Sequence, residues 1–358
     1  MASELKPVQV RLGAIVPIVI ACLIHGFKCL IVGNPGIGKT EVTKAIIATL
    51  PPMIPDGENA LLLEWFLAQE NEEDIGGIPY PKTDESGMFA DKLLFEKQRA
   101  NLINPDRYVI NFLDDMTHGG ARKQTAIMQF WDGSILGKRL GPNCRFIGCC
   151  NDTTMMAGAA PIIEPLKSRC WVIYHAVADF PFWEKWATGP GLIRPDIVAY
   201  LSDNPGSLDA FKPTKMLTQS PSPRTWHHLS DMMNVCDEVG VDDFTRNATA
   251  EGTVGAAQAN QYLRYADMVK QAATPEIILS DPYGARIPEN ASIMYAVTLA
   301  LSYTVDTVER AELAMQYGSR MTAEFEALLV KTITEKFPGA KATDEYVDYA
   351  SRQARIIL

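Results

Sequence analysis

Short apolar runs and longer amphipathic stretches alternate along the first half of the chain. Five runs, at 28–32, 61–67, 108–113, 144–150 and 171–176, have the length and bulk of buried strands, with helical or loop material between them. Strands separated in this way form a parallel sheet covered by helices on both faces, because each crossover must carry the chain back to the same starting edge. This predicts a first α/β domain over 1–180, closing where Asp179-Phe180-Pro181 leaves the fifth run.

Between the second and third runs, 69–104 is polar and turn-rich, with Gly76-Gly77, Pro79 and Pro81, and reads as an insertion. We expect a helical stretch around 92–100 within it. Its acidic Glu70-Asn71-Glu72-Glu73-Asp74 reads as a solvated loop, although it could meet a basic partner. From Trp183 onward strand signals cease, which predicts a helical domain over 181–275 and a helical C-terminal region over 276–358, joined through an irregular, proline-bearing connector at 281–289. In the last region Phe325, Leu328, Leu329 and Ile333 share one helix face, and Phe337-Pro338-Gly339 stops that helix. The most apolar stretch, 12–24, is interrupted by Pro17 and is too short to span a bilayer. No secretory or lipidation signal is visible, so a cytoplasmic protein without a membrane anchor is expected.

Composition narrows the choice of partner. At 358 residues with 47% hydrophobic content, the chain can bury two or three cores, and a net charge of −10 argues against a broad nucleic-acid surface, which would need Lys and Arg to displace counterions. The seven cysteines are odd in number and lack paired C-x-x-C spacing, so they read as reduced core residues. The five histidines show no metal-ligand spacing, and none is assigned to catalysis.

The first run leads directly into Gly33-Asn34-Pro35-Gly36-Ile37-Gly38-Lys39-Thr40, which fits the phosphate-loop pattern G-x-x-x-x-G-K-S/T. Glycines let such a loop curl so that successive N–H groups face phosphate oxygens, and Lys39 adds a point charge near the β and γ phosphates. Thr40 would hold Mg²⁺ through its hydroxyl. Glu41 opens a helix with Val42, Ala45 and Ile46 at helical spacing, so a helix N-terminus faces the same anion. Residues Gly33 to Glu41 are therefore the candidate ATP-binding set.

The third run ends in Asp114-Asp115. Asp114 can hold Mg²⁺ and Asp115 can orient or deprotonate the attacking water. Asn151, at the end of the fourth run, either touches the γ-phosphate or is a turn residue. Arg169, just before the fifth run, either reaches a neighbouring subunit's nucleotide or is a solvated surface group. Arg224 starts a helix in the second domain and is either a helix N-terminal residue with no partner or, since a cation there opposes the helix dipole, a phosphate contact.

This order of motifs resembles the AAA+ superfamily of P-loop ATPases, and more closely its MoxR-like branch. Glu73-Asp74-Ile75-Gly76-Gly77-Ile78-Pro79 is similar to the acidic Gly-x-Pro stretch of that branch, and 122–140, with Gln129-Phe130-Trp131-Asp132-Gly133, to the helix and hairpin before sensor 1. Phe182-Trp183-Glu184-Lys185-Trp186-Ala187 and Gly252-Thr253-Val254-Gly255 resemble a bacterial and phage subgroup. The resemblance implies a five-stranded AAA+ sheet domain, a helical lid, Asn151 as sensor 1, Arg169 as arginine finger and Arg224 as sensor 2. It also implies a ring, expected to be a hexamer, and a partner with a von Willebrand factor A-like domain. One departure stands out: the family usually has Asp-Glu where this chain has Asp114-Asp115. The expected function is Mg²⁺-dependent ATP hydrolysis that remodels a client protein. The alternatives are a nucleic-acid-associated AAA+ motor and an ATP-gated scaffold with very low turnover.

Overall fold

The computed structural model describes residues 7–50, 60–93, 99–135, 137–152 and 160–357. They form two compact units, one of 1–179 with 211–213, the other of 180–210 with 214–358.

The first unit is built on β1 (Gln9–Arg11), α1 (Leu12–His25), β2 (Cys29–Gly33), α2 (Lys39–Thr49), β3 (Leu61–Phe66), α3 (Glu72–Gly76), β4 (Ile78–Asp84), β5 (Gly87–Leu93), β6 (Val109–Asp114), α4 (Gly120–Trp131), β7 (Ser134–Ile135), β8 (Lys138–Arg139), β9 (Cys144–Asn151), α5 (Glu164–Lys167) and β10 (Val172–Val177). Six strands make one parallel sheet in the order β1-β10-β2-β9-β6-β3. This is the α/β architecture expected from the sequence, a parallel sheet with helices on both faces, with six strands rather than five. The extra strand, β1, is only three residues long and pairs at the sheet edge through Gln9, Val10 and Arg11, too short a segment for a hydrophobic period to show.

Alternate strand positions serve opposite faces, as the pleat requires. Ile31, Ile110, Phe112 and Ile147 pack with Leu12, Val19 and Leu23 of α1 and Ile46 and Ile47 of α2. On the other face Leu30, Val32, Leu113 and Phe146 pack with Ile127, Phe130 and Trp131 of α4. One polar residue sits inside this core. Asn111 is fully buried, accepts from Trp65 Nε1 at 3.1 Å and donates from Nδ2 to the Arg145 carbonyl at 3.2 Å, so its amide is satisfied on both sides while β6 stays paired between β9 and β3.

Three local expectations change. The helix expected around 92–100 is not there at its start: Lys92 lies in β5, which forms an antiparallel hairpin with β4, while 94–98 lie outside the described residues. Every described residue of β4 is exposed, and with Pro79 and Pro81 it carries no core-facing alternation to betray a strand. The acidic cluster is less a loop than a helix start, because Asn71 and Asp74 form a reciprocal cap on α3 in which Asn71 N–H donates to Asp74 Oδ2 at 2.7 Å. Pro17 does not break α1, which runs through it from Leu12 to His25.

The second unit is entirely helical among its described residues: α6 (Phe180–Thr188), α7 (Pro195–Asp203), α8 (Pro223–Val239), α9 (Asp243–Val254), α10 (Ala256–Val269), α11 (Pro275–Ser280), α12 (Ala291–Thr304), α13 (Val308–Gly318), α14 (Ala323–Lys336) and α15 (Asp344–Ile357). Arg194, just before α7, clamps neighbouring helices: it donates to both Asp196 oxygens at 3.1 Å, to Asn234 at 3.0 Å and to Asp237. Burial alone would raise the Asp237 carboxyl, but hydrogen bonds from Arg194 and Arg246 hold it below the usual range. A separate core of Leu301, Ala311, Ala314, Tyr317, Leu329 and Ile333 unites α12, α13 and α14. No helix among the described residues is long and apolar enough to cross a membrane.

Candidate functional site

The site lies where the C-terminal ends of β2, β6 and β9 meet. Register places Gly33 of β2 beside Asn151 of β9 on one side and Ala176 of β10 on the other. Beyond Gly33 the chain turns through Gly36 (φ 80°) and Gly38 (φ 97°), left-handed conformations that suit glycine. Ile37 is 4% exposed and anchors the loop in the α1–α2 core, leaving the backbone around it to face outward. Asn34 and Pro35 are half-buried, and Glu41 is exposed in the first turn of α2.

Gly33 is constrained by space rather than by φ. A Cβ there would come within 2.5 Å of the Ala176 carbonyl oxygen and 2.8 Å of Ile37 Cδ1. Backbone cannot yield as a flexible side chain does, so Gly33→Ala should destabilise the sheet unit by about 3 kcal/mol. Calorimetry should show Tm lowered by roughly 5–10 °C; an unchanged Tm would mean that the two strands separate freely.

Lys39 opens α2 and is only 7% exposed. Its ammonium donates to the Gly33 carbonyl at 2.9 Å, the Asn34 carbonyl at 2.8 Å and Asn151 Oδ1 at 3.0 Å. All three protons are thus used by the loop and the neighbouring strand. Burial pushes this lysine below its usual range, while the acidic groups around it pull the other way. Thr40 Oγ1 donates to Asp114 Oδ2 at 2.8 Å, and the Asp115 N–H donates to Asp114 Oδ1 at 2.9 Å. Burial raises the Asp114 carboxyl above the usual carboxylate range, against the opposing pull of those two hydrogen bonds. A hydroxyl and a carboxylate joined in this way are hard oxygen donors of the kind Mg²⁺ takes, so the residues present fit that ion.

Asp115 follows β6 in a left-handed conformation (φ 53°, ψ 41°). Its Oδ1 accepts from Asn151 Nδ2 at 3.3 Å, so Asn151 bridges Lys39 and Asp115 through the two ends of its amide. His118 Nδ1 lies 3.7 Å from the same Oδ1. The sequence reading passed over this histidine; the only signal was its spacing of three from Asp115.

Neither arginine bonds to a residue of this cluster. Arg169 donates from Nε to Asp132 Oδ2 and from Nη1 to the Pro165 carbonyl, both at 2.6 Å. Arg224 belongs to the second unit, where it is exposed in the first turn of α8 behind the cap made by Ser222 and Thr225. It makes no hydrogen bond or ion pair among the described residues.

No protein-family model and no curated protein matches the chain. Among solved structures, it is similar to the RuvB Holliday junction branch migration motor of Thermotoga maritima, with 12% identity over 72% of this chain and 68% of that one and a TM-score of 0.35. It is also similar to NtrX from Brucella abortus, with 15% identity over 92% of this chain and 69% of that one and a TM-score of 0.39.

Proposed function

We propose that this chain is an ATPase of MoxR-like AAA+ type that assembles as a ring and uses ATP hydrolysis to remodel a client protein. The observation that carries the nucleotide reading is the joining of the phosphate loop to two other strand ends: Lys39 bonds Asn151 of β9, and Thr40 bonds Asp114 of β6. Nothing in sheet packing requires a buried lysine and a buried aspartate to converge with a threonine and a second aspartate there, and taking charged groups out of water costs free energy.

In this reading the loop N–H groups and Lys39 bind the phosphates, and Thr40 and Asp114 hold Mg²⁺. The metal supplies charge neutralisation on the β and γ phosphates. Asp115 accepts the proton of the attacking water, and Asn151 orients Asp115 from the Nδ2 end of its amide while its Oδ1 accepts from Lys39. Arg169 would serve a neighbouring subunit only after leaving Asp132, and Arg224 would report the γ-phosphate from the helical unit. Ring assembly, its hexameric size and a von Willebrand factor A-like partner rest on the family resemblance, and the client would be met through the insertion at 69–104.

The test is phosphate release from ATP by the purified chain with and without Mg²⁺, alongside Asp114→Asn. We expect turnover only with the metal, and a loss of about 10²-fold or more in the variant, since metal and water are then both misplaced. Metal-independent release, or an Asp114→Asn chain as active as the unchanged one, rejects the assignment.

A further inference from the structure

Resting on the reading of Asp115 as the residue that activates water, we propose that His118 is a positioning residue that holds the Asp115 carboxylate. After β6 the chain makes a single 3-10 turn over Met116–Gly119, and the His118 N–H donates to the Asp115 carbonyl at 2.8 Å. Asp115 caps this turn and His118 lies within it, so the turn brings the imidazole back beside the carboxylate. Nδ1 arrives 3.7 Å from Oδ1.

That nitrogen is buried and has no hydrogen-bond partner among the described residues. An enclosed ring nitrogen without a partner is unfavourable, and the carboxylate oxygen within reach is only slightly beyond hydrogen-bond range. Thr117, on the same turn and 1% exposed, likewise hides a hydroxyl with no partner among the described residues. Two unmatched polar groups on one short turn beside the catalytic carboxylate point to a segment whose bonds close in use. Catalytic hydrogen bonds commonly tighten only when substrate is in place.

The need for such a holder follows from Asp115 itself. Its backbone is left-handed and its side chain is 45% exposed, so little packing fixes the carboxylate. Asn151 reaches Oδ1 from β9 at 3.3 Å, and His118 addresses the same oxygen from the turn. Held through Oδ1 from two elements, the carboxylate keeps Oδ2 free for water. His118 acts through Asp115 and need not touch the nucleotide.

The experiment uses the full chain carrying His118→Ala or His118→Asn, with and without Asp115→Ala, and measures kcat, KM and nucleotide Kd. His118→Ala should lower kcat roughly 10- to 100-fold, with Kd changed less than about twofold because the phosphate contacts lie elsewhere. His118→Asn, which retains an N–H donor, should recover most of the loss, and His118→Ala should have no further effect once Asp115 is alanine. An unchanged kcat in His118→Ala overturns the proposal, as does an equal loss in both backgrounds. Long-range ¹H–¹⁵N spectra of histidine-labelled protein provide a readout independent of turnover. The His118 proton should sit on Nδ1 and lose that preference in Asp115→Ala; a proton on Nε2 in both proteins overturns the contact. Absence of turnover in the unchanged protein would count against the ATPase reading, while the spectra still decide the role of His118.

Discussion

Lys39→Met should sharply weaken nucleotide binding, the largest effect on affinity expected in this protein. Methionine matches the length of the lysine stem but carries no charge, so packing at this buried position is roughly kept while the ammonium is lost. The ammonium presently satisfies two loop carbonyls and Asn151. A triphosphate would take over those donors in a site shielded from water, where losing one partner of a buried charged pair costs on the order of 2–5 kcal/mol. That corresponds to a weakening of Kd by roughly 30- to 4,000-fold. Calorimetric titration with ATP and Mg²⁺ checks this directly. Thermal unfolding gives a second measure: nucleotide at 100 times its Kd should add about 2.7 kcal/mol to the unchanged protein, and less than about 1 kcal/mol to the variant. Equal affinity in the two proteins would remove the basis for placing a triphosphate at this loop.

Asp115→Ala should produce the second largest effect, on turnover alone. General-base assistance contributes about 10²- to 10⁴-fold to rate, so kcat should fall by that factor while the Kd for ATP stays within a few-fold. Asp115→Glu separates the working ATPase from the low-turnover scaffold. In this chain the aspartate is held by its own left-handed backbone and by Asn151 at 3.3 Å. One added methylene pushes the carboxylate out of that hold, and displacement by about 1 Å can cost on the order of 10²-fold. We therefore expect Asp115→Glu to hydrolyse more slowly than the unchanged chain. A large gain in its phosphate release would instead identify the natural aspartate as a brake and the protein as a nucleotide-gated scaffold.

The parts of this site that were legible in advance are those whose chemistry is contiguous in the chain. Gly33 through Thr40 declare themselves because a phosphate loop is a local object: its glycines, lysine and threonine act within eight consecutive residues. Asp114 is legible for a similar reason, as a carboxylate closing a fully buried strand. The hairpin of β4 and β5 was missed because β4, exposed along its length, leaves no hydrophobic period to read. His118 was missed because its meaning depends on a 3-10 turn, and nothing in Asp115-Met116-Thr117-His118 distinguishes that turn from an ordinary helix start. Arg169 was read as either solvated or reaching a neighbour, yet it pairs with Asp132, 37 positions away, a contact no local pattern announces.

Sequence alone determined that this chain carries a phosphate-loop sequence pattern on a strand-to-helix junction, that parallel strands and helices surround it, and that helices follow to the end of the described residues. Each of those depends on interactions within a few residues, which leave a periodic or motif signature. Only the tertiary structure decided which strand lies beside which. By inserting β9 between β2 and β6, it sets Asn151 between Lys39 and Asp115. Strand neighbours are chosen by the packing of both sheet faces at once, a sum over residues far apart in the chain, and so the cluster that joins lysine, amide and carboxylate exists only once the sheet has closed around it.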